Sequence, residues 1–122
     1  MVYCFVTYSK WGGVDERRYL KEDVVKALIA HKERHKAKGH GFGAVFHKEN
    51  QKMGTVCVGG HGVQDLVEDN GRIRRLTPTE CARLQTIPEW YTWQCSETQQ
   101  YKMLGNGWTV EVIKHIFSYL NK

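Results

Sequence analysis

An α+β fold is predicted, built as a small antiparallel β unit flanked by helices. Short segments rich in β-branched and aromatic residues, punctuated by glycine- and asparagine-bearing turns, fill the middle of the chain. Apolar residues at helical spacing occupy one stretch before them and three after. The 122 residues leave room for one domain, or for one lobe with a tail that docks elsewhere. Hydrophobic residues at 41% and charged residues at 25% fit a globular chain, not a disordered one.

Taken in order, Val2 to Thr7 reads as a strand, broken at Trp11-Gly12-Gly13. From about Tyr19 to Lys36, Leu20, Val24, Ala27, Leu28 and His31 recur on one helical stripe, which is expected to be buried. The opposite face carries Lys21, Glu22, Lys26, Lys32, Glu33, Arg34 and Lys36, as expected of a surface helix. Gly39 to Gly43 ends it. β-like segments follow at Ala44 to His47, Gly54 to Val58, Val63 to Val67 and Arg72 to Leu76. Asn70-Gly71 suits a two-residue hairpin, because both residues tolerate positive φ. Thr77-Pro78-Thr79-Glu80 is a capping-box signature that opens a helix ending before Pro88. Ser96 opens a second helix, ended by Gly105-Asn106-Gly107. A last one from about Thr109 to Leu120 is expected to bury Val110, Val112, Ile113, Ile116, Phe117 and Leu120.

The net charge of +5 makes a polyanionic partner plausible. No apolar run reaches the roughly 18 residues of a membrane span. The first residues lack the basic flank and cleavage site of a secretory leader. The four cysteines form no CxxC pair and read as reduced thiols, so a cytoplasmic setting is expected. His31 and His35 stand four apart on one helix, and Cys57 and His61 could supply further ligands. That spacing matches no common zinc module, and no metal is expected.

The segment Arg74-Arg75-Leu76-Thr77-Pro78-Thr79-Glu80-Cys81-Ala82-Arg83-Leu84-Gln85, with Ile87-Pro88 behind it, resembles the ninth motif of DNA cytosine-5 methyltransferases. That motif reads approximately R-x-L-T-x-R-E-x-x-R-L-Q-G-F-P. Ser96 through Gly107 resembles the tenth, S-x-x-x-x-Y-K-x-x-G-N-[SA]-V. The resemblance implies two regions. Residues 1–71 would hold an N-terminal strand and helix and part of a target-recognition lobe. Residues 72–122 would form the ninth- and tenth-motif segment, whose helices pack on the catalytic lobe in the family. It also implies structural roles for Arg74, Leu76 and Leu84. Thr79, Thr86-Ile87 and Gly107-Trp108 depart from the pattern, at positions where the family has Arg, Gly-Phe and Ser-Val. Read locally, Glu80 and Arg83 lie on one helix face and could pair.

By the same resemblance, Gly105, Asn106, Gly107 and Trp108 would contact S-adenosylmethionine. Unsatisfied amides at a helix start favour an anionic group, and glycine permits close approach. The bland reading leaves Gly105 as a cap and Trp108 as core. Double-stranded DNA is the second implied partner. Thr55 with Val56 resembles the end of the family's recognition region, and Gly59, Gly60 and His61 would form its groove-entering loop. Lys52 and Arg72, with Lys48, would neutralise phosphates; the plain alternative is a hairpin turn with solvated cations.

The family's reaction needs a thiolate that attacks a flipped cytosine, and a glutamate beside it. These normally stand in Pro-Cys and Glu-Asn-Val, and neither sequence occurs here, nor does the F-x-G-x-G cofactor loop. Catalytic residues are therefore not assigned, and Cys81 is expected to be packed. Three readings stay open: a subunit or fragment needing a partner with the missing motifs, a non-catalytic DNA-binding or regulatory module, and a remnant without a role.

Overall fold

A computed structural model describes residues 14–41, 43–48, 51, 56 and 66–120. The expected strand at Val2 to Thr7, most of the Gly54 to Val58 segment, and Thr55, Lys52, Gly59, Gly60, His61 and Cys57 lie outside them.

Asp15 starts the described chain with a 3-10 turn over Glu16–Arg18, its carboxylate accepting from the Arg17 amide at 2.9 Å. Helix α1 spans Glu22–Ala37, strand β1 Phe46–His47, β2 Leu66–Asp69 and β3 Arg72–Arg75. Helices α2 (Pro78–Leu84), α3 (Glu97–Asn106) and α4 (Val110–Ser118) follow.

The sheet has order β1-β2-β3 and is mixed. The β2–β3 pair is antiparallel, with Leu66 opposite Arg75 and Asp69 opposite Arg72, while the short β1 runs parallel to β2. Asn70 and Gly71 close the hairpin at φ 50° and 79°. That double left-handed geometry is why this dipeptide was legible as a two-residue turn. On the other side of β3, Tyr19 bridges Arg74, and the Leu20 amide donates to the Ile73 carbonyl at 2.8 Å.

The core gathers Val56, Val67, Leu76, Cys81, Ala82 and Leu104, with Leu84, Ile87, Trp93 and Tyr101 packed against it. It lies where the sheet, α2 and α3 meet. Full burial of each aliphatic side chain contributes about 1.5–3 kcal/mol. Tyr101 pins α3 to the sheet: its hydroxyl donates to the Leu76 carbonyl at 2.6 Å and accepts from Arg18 at 2.5 Å. Arg18 also pairs with Glu97 at the start of α3. Burial pushes the Tyr101 hydroxyl up to about 12, so it stays a donor at neutral pH.

Two expectations about burial are corrected. Helix α1 buries no residue: Val24 and Ala27, which belong to its apolar stripe, are exposed, and so is Ile29. Helix α4 is strongly amphipathic yet also buries none, with Val112, Ile116 and Phe117 exposed and Leu120 beyond it 69% exposed. Periodicity reports which face of a helix is apolar, not how far it is covered: Leu28 of α1 and Ile113 of α4 are half-buried and none of either stripe is fully buried.

Candidate functional site

Two sequence features build the site: the cap that starts α2 and the turn that joins α3 to α4. The capping box forms as its residues require. Thr77 Oγ1 accepts from the Glu80 amide at 3.2 Å, and the Thr77 amide donates to Glu80 Oε2 at 2.8 Å. Glu80 does not pair with Arg83, as local spacing allowed. It takes a bidentate grip from Arg74, with Nη1 to Oε2 at 2.9 Å and Nη2 to Oε1 at 2.8 Å. Arg83 turns outward to Glu89 at 3.1 Å. The preference is physical, since a buried carboxylate gains far more from a fork of buried donors than from an exposed neighbour.

Arg74 is fully buried, and its Nε donates to Asp69 Oδ2 at 2.9 Å, where the Tyr19 hydroxyl also donates. Burial acts to raise the Glu80 carboxyl, but the Arg74 fork and the Thr77 amide outweigh it and hold it below its ordinary value. Burial likewise disfavours the Arg74 cation, and the two carboxylates reverse that, leaving it more firmly protonated than usual. The family-implied structural roles of Arg74, Leu76 and Leu84 have this geometry: the first two are buried and Leu84 packs on the core.

The end of α2 meets the turn. Gln85 is buried, and its Nε2 donates to the Leu104 carbonyl at 2.9 Å and the Gly107 carbonyl at 3.5 Å. Its Oε1 accepts from Thr109 Oγ1 at 3.0 Å, and its backbone carbonyl accepts from the Val110 amide at 3.0 Å. Thr86 Oγ1 accepts from the Glu111 amide at 2.9 Å. The first amides of α4 are therefore already bonded, and the expectation of an anion-ready helix start does not hold there.

Within the turn, Gly105 and Asn106 close the last turn of α3 and Gly107 is its cap, so the cap is not at Gly105. A side chain at Gly107 would crowd the Met103 carbonyl, 3.1 Å from a Cβ built there. Trp108 is 75% exposed and is not core. With Gly107 it borders an apolar cleft of about 290 Å³, whose other walls include Ile87, Tyr91, Trp93 and Met103. Gly105 and Asn106 stand outside that lining. The run Glu89-Trp90-Tyr91-Thr92-Trp93 signalled an aromatic surface that sequence reasoning passed over. Tyr91 and Trp93 stack edge to face at 5.0 Å.

Of the residues expected to meet DNA, Arg72 and Lys48 are described. Arg72 lies at the exposed start of β3, bidentate to Glu16 at 2.9 and 3.1 Å and 4.1 Å above the Tyr19 ring. Lys48 sits 4.0 Å from Glu68. The His31 and His35 rings are 4.2 Å apart, and among the described residues no group of three or more candidate metal ligands forms. Cys81 is buried in the core. No helix of the described residues is long and apolar enough to cross a membrane.

The family model for C-5 cytosine-specific DNA methylase matches residues 6–122. The chain is 33% identical over 119 residues to the type II methyltransferase M.HpaII of Haemophilus parainfluenzae, covering 83% of this chain and 33% of that protein. It is 33% identical over 107 residues to M.DsaV of Dactylococcopsis salina, and 31% identical over 106 to M.NlaX of Neisseria lactamica. Those matches cover 84% of this chain and 30% and 34% of the relatives. The chain thus spans about a third of the length of these relatives. With residues 6–122 matched by the family model, the chain belongs to the C-5 cytosine-specific DNA methylase family.

Proposed function

We propose that this chain supplies the target-recognition and cofactor-closing part of a DNA cytosine-5 methyltransferase, and that it is inactive without a catalytic lobe carrying the missing motifs. The observation that carries this reading is the uncovered apolar face of α4, where Phe117 is 58% exposed beside Val112 and Ile116. A face of that kind on a short helix calls for a partner surface. A stand-alone DNA-binding module has no use for it, so the split reading is preferred to the regulatory one.

In this reading Gly105, Asn106, Gly107 and Trp108 close one side of the S-adenosylmethionine pocket. The exposed Asn106 carboxamide offers a donor and an acceptor, and the exposed Trp108 indole a flat apolar wall. Among the described residues the cleft beside Trp108 is lined without an acidic side chain, and in this reading the ribose hydroxyls find their partner on the other lobe. Thr55, Gly59, Gly60 and His61 contact the DNA target, and Lys52 and Arg72 contact phosphates, Arg72 by exchanging Glu16 for a phosphate oxygen. The type II methyltransferase relatives support a restriction–modification setting, which in this reading is cytoplasmic.

A chimaera tests the proposal. This chain replaces the matching third of the Haemophilus parainfluenzae relative, and tritium transfer from labelled S-adenosylmethionine to DNA is measured. Retained transfer is expected. A soluble, folded chimaera without transfer would overturn it.

A further inference from the structure

We infer that Gln85 and Thr86 are a positioning pair that sets the shape of the Gly105–Trp108 turn, an inference that rests on reading that turn as the cofactor turn. The turn's outer residues, Asn106, Gly107 and Trp108, are all exposed. Its shape is therefore not moulded by surrounding core, and the bonds that hold it come from beneath. Leu104 precedes the turn, Gly107 lies within it, and Thr109, Val110 and Glu111 follow it. All five are hydrogen-bonded to two consecutive residues at the end of α2. Both strands of the turn are thereby fixed to one point.

Thr86 makes the arrangement specific. Its φ is 56°, in the left-handed region where a β-branched residue is uncommon and glycine is the ordinary choice. The backbone bonds that end α2, from the Thr86 amide to Arg83 at 2.9 Å and the Ile87 amide to Ala82 at 3.0 Å, would accept glycine equally well. Glycine has no group to receive the Glu111 amide. The threonine hydroxyl does, so a strained backbone is retained where its side chain caps the next helix. The pair is anchored in turn, because α2 begins at the Glu80 cap gripped by Arg74. A continuous bonded path runs from the hairpin strand to the turn.

Three substitutions separate this from a general structural role. Gln85→Glu is isosteric but sets a carboxylate against the Leu104 and Gly107 carbonyls. Thr86→Val keeps the branch and removes the acceptor, and Thr86→Ser restores it. In the full chain, amide exchange at Val110 and Glu111, whose N–H groups are bonded to Gln85 and Thr86, is expected to accelerate about tenfold in Gln85→Glu and Thr86→Val, and to stay near wild type in Thr86→Ser. Exchange at Val67 and Ile73 in the sheet should not change. In the chimaera, the first two variants should raise KM for S-adenosylmethionine about tenfold while KM for DNA stays within about twofold. Unchanged exchange at Val110 and Glu111 in Gln85→Glu would overturn the clamp. Faster exchange with an unchanged KM for S-adenosylmethionine would uphold the clamp and overturn the cofactor reading of the turn.

Discussion

Replacing Arg74 by methionine keeps most of the side chain's length and packing but removes its charge and its fork of donors. Two carboxylates then lose their partner. Glu80, 8% exposed, retains only the Thr77 amide and hydroxyl, while Asp69 retains the Tyr19 hydroxyl and the Asn70 side-chain amide. Leaving a buried carboxylate uncompensated costs about 3–5 kcal/mol. A domain of this size has a total stability of about 5–15 kcal/mol, so the loss is a large share of it. With a urea slope of roughly 1–3 kcal/mol per molar, the unfolding midpoint should fall by about 2 M with the slope unchanged. Adding Glu80→Gln and Asp69→Asn to Arg74→Met should recover most of that loss, since no charge is then left unpaired. A midpoint that falls by less than about 0.5 M in Arg74→Met would refute the reasoning, because it would mean the carboxylates were never desolvated.

The Glu80 carboxyl gives that network a pH signature. Its folded pKa lies below the ordinary 4.5, so its stabilisation is fully present above that value and is lost as pH falls through the folded value. Thermal unfolding of wild type and Glu80→Gln should show a gap at neutral pH that narrows only below about pH 4.5; a constant gap would contradict it. Leu104→Ala should cost about 2–5 kcal/mol by urea unfolding, since Leu104 is 1% exposed where α3 meets the core. Ile116→Asp with Phe117→Asp should change the stability of the isolated chain by less than about 1 kcal/mol by the same assay. In the chimaera the pair should lower methyl transfer at least tenfold, on the order of 1.4 kcal/mol of lost docking. Equal activity would mean that face touches nothing.

Features governed by neighbouring residues were legible from the sequence. The Thr77–Glu80 cap and the Asn70-Gly71 turn depend on residues at most three apart, and both form as read. What was not legible depends on distant contacts. The Glu80 partner comes from β3, six residues upstream, and outcompetes Arg83 only because the fold buries the pair. The apolar face of α4 was legible but not its exposure, and on α1 the half-buried positions are Val25, Leu28 and His35 rather than the stripe through Val24, Ala27 and His31, because amphipathicity is a property of a helix and burial of its neighbours. The turn at Gly105 to Trp108 was singled out through the family resemblance. Gln85 and Thr86, which hold it, were seen only as part of a motif and as a departure from one. A left-handed threonine carries no sequence signature, and glutamine's bonds to residues 19 to 24 positions away cannot be read from spacing.

The most direct measurement mixes this chain with a family enzyme truncated to the lobe bearing the Pro-Cys and F-x-G-x-G motifs. Tritium incorporation into DNA from labelled S-adenosylmethionine is then compared for the chain alone, the truncated lobe alone and the mixture. Background counts for each piece and transfer by the mixture are expected. No gain of the mixture over the truncated lobe, or transfer by the chain alone, would contradict a recognition and cofactor-closing part that depends on a partner.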